Sequence, residues 1–280
     1  MKKRNILYLA IGIVCIIAII VAVYAQIFED KVVTGKENKV ITFDNAIEED
    51  PVDNPKDILA EFNSLFNNEL DTQDNSIGNI KKLEGFEDKD IVFTYEFKEE
   101  KEEQYDIDVK LPTINIEKAS SLNEKTRTMF VNKIDEILQG TNKYNIYNLD
   151  YVAYVNDNIL SIAIRATRKE GNSAQRLIVQ TYNYDLINNK EVTLNEVLES
   201  QEYSKRTVNK KIEEQVKEAS KQAETISQAT GQIVYKRNIE DSMYTTDKAN
   251  NFLIGKDGQI YIVFSYGIEN QTTEIDIIKL

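Results

Sequence analysis

The chain has 280 residues, 41% hydrophobic and 29% charged, with 34 Lys and Arg against 47 Asp and Glu for a formal net charge of −13, which is globular composition. It holds no histidine, no tryptophan, three prolines and one cysteine, Cys15. A Ser-His-Asp or Cys-His nucleophile, a histidine-bound catalytic zinc and an internal disulfide are therefore excluded.

Residues 6–25 run for 20 positions without a charge, after Lys2, Lys3 and Arg4 and before Glu29 and Asp30. At ~1.5 Å per residue a helix of that length crosses a hydrocarbon core of ~30 Å. The basic residues lie before the span, which places residues 1–5 in the cytoplasm as a short tail and the rest of the chain on the extracytoplasmic side of the cell membrane. A cleaved signal peptide is the competing reading, but its apolar region usually covers only ~7–15 residues. Cys15 lies within the span and reads as a membrane-buried bystander. Since the basic tail belongs to the other side, the exported part is more acidic than the whole. Nucleic acid is not expected as a partner, because a phosphate backbone is bound by Lys and Arg. A cationic protein or a metal cation would be attracted; plain solubility is the alternative reason for the acidity.

Residues 26–89 form a juxtamembrane linker with one amphipathic helix. Asn54 is its N-cap, Pro55 its first residue, and Ile58, Leu59, Phe62, Leu65, Phe66 and Leu70 mark one stripe, at the spacing of 3.6 residues per turn. Residues 71–90 read as a loop. A first α+β domain is predicted over 90–186. IVFTYEF and YDIDVKLPTINI, separated by the charged run KEEKEEQ, make an antiparallel hairpin. Ser121 with Glu124 suggests a capping box for a helix with apolar positions at Leu122, Met129, Phe130, Ile134, Ile137 and Leu138, closed by Gly140. Three strands follow as a meander, YNIYNLDYVAYV, ILSIAIRATR and AQRLIVQTYNY, joined at 156–158 and at Gly171. A second α+β domain covers 187–280. A polar helix spans 203–223 with Val208, Ile212, Val216 and Ala219 as its stripe, and IVYK, NFLIG, QIYIVFSYG and EIDIIKL read as strands. Gly258 marks a hairpin turn and Gly267 a bulge or bend. The fold class is α+β, antiparallel sheets packed on helices, preceded by one N-terminal transmembrane helix.

Motifs that carry chemistry are few. Glu99, Glu100, Glu102 and Glu103 crowd a turn where solvation is their expected fate. Paired carboxylates can hydrolyse glycosidic bonds, so a carboxylate-based cell-wall hydrolase is the alternative to a binding protein, with a purely structural envelope protein as a third reading. The run from Asp71 to Gly78 departs from the calcium-loop spacing, and the turn from Gly255 to Gly258 lacks the phosphate-loop spacing. No catalytic residue, metal ligand or cofactor is predicted. Tyr144, Tyr147, Tyr151 and Tyr154 crowd one strand, either as a contact surface or as the edge of a core.

Several segments taken together resemble a known family: YDIDVKLPTIN, the helix ending in ILQG, the meander, YDLINNKEVTLNEVL and FLIGKDGQIYIVFSYG. The chain from about 90 to 280 resembles the extracytoplasmic region of RsiV-type proteins, a tandem pair of domains of unknown function shared with certain peptidoglycan deacetylases. Tyr184, Asp185, Leu186, Lys190, Glu191, Thr193 and Leu194 match the segment that introduces the second domain. RsiV-type proteins are single-pass anti-sigma factors whose outer region binds lysozyme, a cationic protein, and so becomes open to intramembrane proteolysis. Residues 1–5 leave no room for an anti-sigma domain, and the histidines of a deacetylase are missing. The resemblance therefore implies a non-enzymatic, membrane-anchored module facing the cell wall. Its partners would be lysozyme, another cationic protein or peptidoglycan. It assigns the contact to no individual residue.

Overall fold

In the computed structural model the described residues are 53–66, 91–140, 142–231, 234–256, 258–266 and 274–280. The predicted span over 6–25, most of the linker, the loop over 71–90 with its calcium-like run, and the bend at Gly267 lie outside them. Among the described residues no helix is long and apolar enough to cross a membrane.

Helix α1 (Pro55–Ser64) starts as its sequence dictates. Asn54 Oδ1 accepts the Lys56 N–H at 3.2 Å, proline takes the first position, and Ile58, Phe62 and Phe66 are buried. Strands β1 (Val92–Lys101) and β2 (Tyr105–Ile114) pair antiparallel from Val92↔Ile114 to Lys101↔Tyr105. The run expected to be turn is thus largely strand, with only residues 102–104 turning. β1 lies at the edge of its sheet among the described residues, and charged side chains on an exposed edge stay in water at no desolvation cost.

Helix α2 (Ser120–Leu138) follows a 3-10 turn, Glu117–Ala119. The predicted capping box does not form: Ala119 is the N-cap, without a side-chain bond. Asn123 holds the helix start instead, accepting from Ile114 N at 2.8 Å and donating to Ile114 O at 2.7 Å. Leu122, Phe130, Ile134 and Ile137 are buried, whereas Met129 at 41% and Leu138 at 38% are exposed. Because α2 is a crossover, the next strand, β3 (Asn145–Asn156), runs parallel to β2, from Tyr105↔Asn145 to Val109↔Leu149. The expectation of purely antiparallel sheets is corrected by this one pairing. β4 (Ile159–Glu170) and β5 (Arg176–Asp185) continue the predicted meander, and β6 (Lys190–Glu191) adds a short final strand. The sheet order is β1-β2-β3-β4-β5-β6.

Helices α3 (Leu194–Ser200) and α4 (Lys205–Thr230) come next. The stripe Val208, Ile212, Val216 and Ala219 is buried as read, and α4 runs on to a left-handed C-cap at Gly231 (φ 70°). Residues 234–236 of the predicted strand IVYK carry no strand. Their segment is held by side chains rather than by a ladder, chiefly those of Glu274 and Asp276. β7 (Phe252–Ile254), β8 (Ile260–Tyr266) and β9 (Glu274–Lys279) form a second, antiparallel sheet.

Residues 51–280 make one compact unit, and the core clusters give its layers. Tyr147, Leu149, Ile162 and Ile164 of the large sheet pack against Phe130 and Ile134 of α2. On the opposite face Val152, Ala163 and Val179 meet Leu253, Val263 and Ile277 of the small sheet, with α1 tucked beside them. The other face of the small sheet, with Ile260, Ile262 and Phe264, packs on α3 and α4. Helix, sheet, sheet and helix therefore stack in that order. Because the small sheet is covered on both sides, β7 and β8 read as nearly continuous apolar runs, and β9 is interrupted only by Asp276.

Polar residues at inward positions of the meander hold the two sheets together. Ser161 Oγ accepts from Ile254 N at 2.8 Å and donates to Asn183 Oδ1 at 2.5 Å. Asn183 Nδ2 donates to Phe252 O at 2.9 Å, Thr181 Oγ1 accepts from Phe252 N at 2.9 Å, and Asn156 Nδ2 donates to Gly255 O at 2.9 Å. These side chains satisfy the backbone of β7 on the edge that β8 does not use, as buried peptide groups require.

Candidate functional site

The small sheet and α1 cover only part of the large sheet's second face. The part left open is a groove of about 780 Å³. Asp108 and Lys110 rise from β2, Asn148 and Asp150 from β3, and Arg165 and Thr167 from β4. Asn63 of α1, Gln175 and Leu177 complete the lining. Register explains the grouping. Asp108 stands opposite Asn148 and Asn148 opposite Thr167, while Asp150 stands opposite Arg165. Neighbouring strands are ~4.8 Å apart, so Asp108, Asn148 and Thr167 form a row of polar groups at that spacing.

Arg165 joins the groove to α1. Its Nη1 donates to Asn63 Oδ1 at 3.3 Å, and its guanidinium lies 4.4 Å from the Phe66 ring centroid. Burial pushes its basicity down and the facing Asp150 carboxylate pushes back up, with a net lowering. Asp108 is ion-paired with Lys98 of β1 at 2.6 Å.

Beyond the groove strand β1 and the turn after it are open to solvent. Phe93 at 48% and Tyr95 at 40% are among the exposed large side chains. Glu96, Glu99 and Glu100 are exposed further along β1, and Glu102 and Glu103 are exposed in the turn that ends it. Glu99 accepts from Tyr105 Oη at 2.6 Å. The tyrosine cluster divides. Tyr147 and Tyr151 are buried, with Tyr147 Oη donating to Phe130 O at 3.2 Å and Tyr151 Oη bonded to Thr94 Oγ1 at 2.7 Å, whereas Tyr144 is exposed.

The residues that carry the family resemblance build a corner. Asp185 Oδ1 accepts from Ile187 N and Asn188 N, both at 2.9 Å, and its Oδ2 accepts from Asn188 Nδ2 at 2.7 Å. Lys190 and Glu191 then pair back onto Asp185 and Tyr184. Thr193 and Glu196 form a reciprocal capping box, with Lys190 Nζ on Glu196 Oε1 at 2.5 Å. Leu186 and Leu194 are buried beneath. Thr193-Leu-Asn-Glu196 matches the capping pattern just as Ser121-Leu-Asn-Glu124 does, so the sequence carries the signal twice and the structure uses only the second.

This corner gives an acid-stability prediction. Burial pushes the Asp185 carboxyl up, but hydrogen bonds from Asn188, Asn158 and Ile187 outweigh it and hold it below its ordinary value. Glu196 is lowered from 4.5 to about 2 by Lys190 and by the Thr193 backbone and hydroxyl. A depressed folded-state pKa contributes stability above the unfolded value and loses it as pH falls through the folded one. Denaturation midpoints of the wild type should therefore fall between about pH 4.5 and 2. Glu196→Gln should flatten that slope, and an unchanged slope would count against the assignment.

Among the described residues no group of three or more His, Cys, Asp or Glu is placed to hold a metal ion. Gly258 N donates to Gly255 O at 3.1 Å, the closing bond of a turn.

No protein-family model and no curated protein matches the chain. Solved structures similar to it include a DUF3298 family protein from Pseudomonas aeruginosa PAO1, with 9% identity, a TM-score of 0.39 and coverage of 67% of this chain and 89% of that one. A member of the same family from Bacteroides fragilis matches with 14% identity, a TM-score of 0.39 and coverage of 68% and 89%.

Proposed function

We propose that the chain is a non-enzymatic, membrane-anchored extracytoplasmic binding module whose outer hairpin captures a cationic protein such as lysozyme. The observation that carries this reading is the exposed edge strand β1, with Phe93 and Tyr95 facing solvent near its start and a run of exposed carboxylates at its far end and in the turn. Aromatic rings supply contact area at interfaces, and charge of one sign steers a partner of the other. The groove carboxylates favour binding over hydrolysis. Asp108 is paired with Lys98 and Asp150 stands opposite Arg165, whereas a general acid needs a carboxyl isolated in apolar surroundings.

The test is capture of lysozyme by the immobilised full chain at low and high salt. Capture should weaken about tenfold in a Glu100→Lys, Glu102→Lys, Glu103→Lys triple variant, and again at high salt. Undiminished capture by the variant, or none by the wild type, would overturn the reading.

A further inference from the structure

The geometry points to a second ligand site, the groove on the open face of the large sheet, shaped for an uncharged glycan rich in hydroxyl and amide groups. Its volume of about 780 Å³ is that of a small-ligand cleft. Of its lining residues only Leu177 is wholly apolar, though the stems of the polar side chains give the groove as much apolar as polar surface, and its charges cancel, two carboxylates against two cations. In a chain of net charge −13 that balance is a local property. Each cation also has a carboxylate neighbour: Asp150 is opposite Arg165, and Lys110 is two residues from Asp108 on one face of β2. A phosphate chain or an acidic ligand would have to displace these carboxylates.

What the groove offers instead is a field of donors and acceptors at fixed spacing. The Asn148 amide, the Thr167 hydroxyl and the Asp108 carboxylate stand in one row across three strands. Arg165 is held in place by Asn63 and the Phe66 ring through Nη1 and the guanidinium face. Its hydrogen bonds among the described residues use only Nη1. Side chains fixed on a sheet are preorganised, which lowers the entropy lost on binding. An extended peptide would be bound through a sheet edge and apolar side-chain pockets. Here β3 and β4 are paired on both sides, and a single apolar residue lines the groove. Sugar hydroxyl and acetamido groups, which both donate and accept, fit this surface best.

The site rests on the reading of the chain as a wall-facing module only in the choice of glycan. Calorimetric titration of the full chain in detergent would use chitotetraose, chitohexaose and a neutral decapeptide as probes. Either glycan should bind, and raising salt should change the affinity by less than about twofold, because no net charge is neutralised. Asn148→Ala and Thr167→Val, at accessible positions, should each weaken binding about tenfold through the lost hydrogen bond, with the circular dichroism spectrum unchanged. No binding of either glycan, binding that survives both variants, or binding of the decapeptide alone would overturn the proposal. The hairpin triple variant should keep its glycan affinity, so failure of lysozyme capture and failure of the groove are told apart.

Discussion

Asp276→Ala is expected to lower stability by about 3–5 kcal/mol, because it leaves a buried guanidinium without its two-pronged partner and with only the longer Glu274 contact. Arg237 and Asp276 have side chains only 5% and 7% exposed. Nε donates to Oδ2 at 2.6 Å and Nη2 to Oδ1 at 2.7 Å, a two-pronged fork, while Nη2 also reaches Glu274 at 3.3 Å and Nη1 donates to Tyr235 O at 3.1 Å. The Tyr266 ring centroid lies 5.2 Å from the guanidinium, and Tyr235 stacks on that ring at 4.5 Å. Burial pushes the Arg237 basicity down, but the hydrogen bonds and charge of Asp276 outweigh it, so the cation persists in the core. In a unit of this size about 2–4 °C of Tm accompanies each kcal/mol, which gives a fall of roughly 6–20 °C. Removing both charges, as in Arg237→Met with Asp276→Leu, should restore most of the loss. A single variant within about 1 kcal/mol of wild type would show that water reaches the site and screens the pair.

Phe62→Ala should cost about 3–5 kcal/mol in cavity and transfer terms, concentrated in one helix. Phe62 is fully buried, its ring centroid 5.6 Å from Phe66 and 5.8 Å from Tyr261. Outside this cluster α1 is held by Glu61, which accepts from Tyr261 Oη at 2.6 Å and from Lys279 at 2.8 Å, and by Asn63, which accepts from Arg165 at 3.3 Å. A ten-residue helix does not persist alone in water, so its order comes from docking. Amide exchange in Pro55–Ser64 should therefore accelerate at least about tenfold. Exchange in Ile159–Glu170, at the centre of the large sheet, should change much less. Equal acceleration in both segments would place α1 inside the cooperative core.

Where the sequence could be read well, local chemistry and burial agreed. Asn54 and Pro55 announce α1, the spacing of Val208, Ile212, Val216 and Ala219 announces α4, and the alternation of the meander gives its three strands. Errors came where a side chain's role depends on a distant element. Ser121 and Glu124 match a capping pattern, yet α2 begins against β2 and Asn123 is the residue that meets it. IVYK has strand-forming residues, but Tyr235 and Arg237 are fixed by β9. The charged end of β1 reads as turn because its tolerance of charge depends on lying at a sheet edge. None of the groove residues stood out, because Asp108, Asn148, Asp150 and Thr167 look like the polar half of ordinary amphipathic strands.

The sequence by itself determined the α+β class, the order of most elements, the acidic balance and the chemistries that the chain cannot perform, because these follow from residue types and short-range periodicity. Only the tertiary structure decided that β2 and β3 run parallel, that Ser161, Thr181 and Asn183 clasp the free edge of β7, and that one end of the large sheet's second face is covered while the other stays open. Those outcomes depend on which surfaces meet after the chain has crossed tens of residues, and pairing at that range is set by the burial of whole faces rather than by any local pattern.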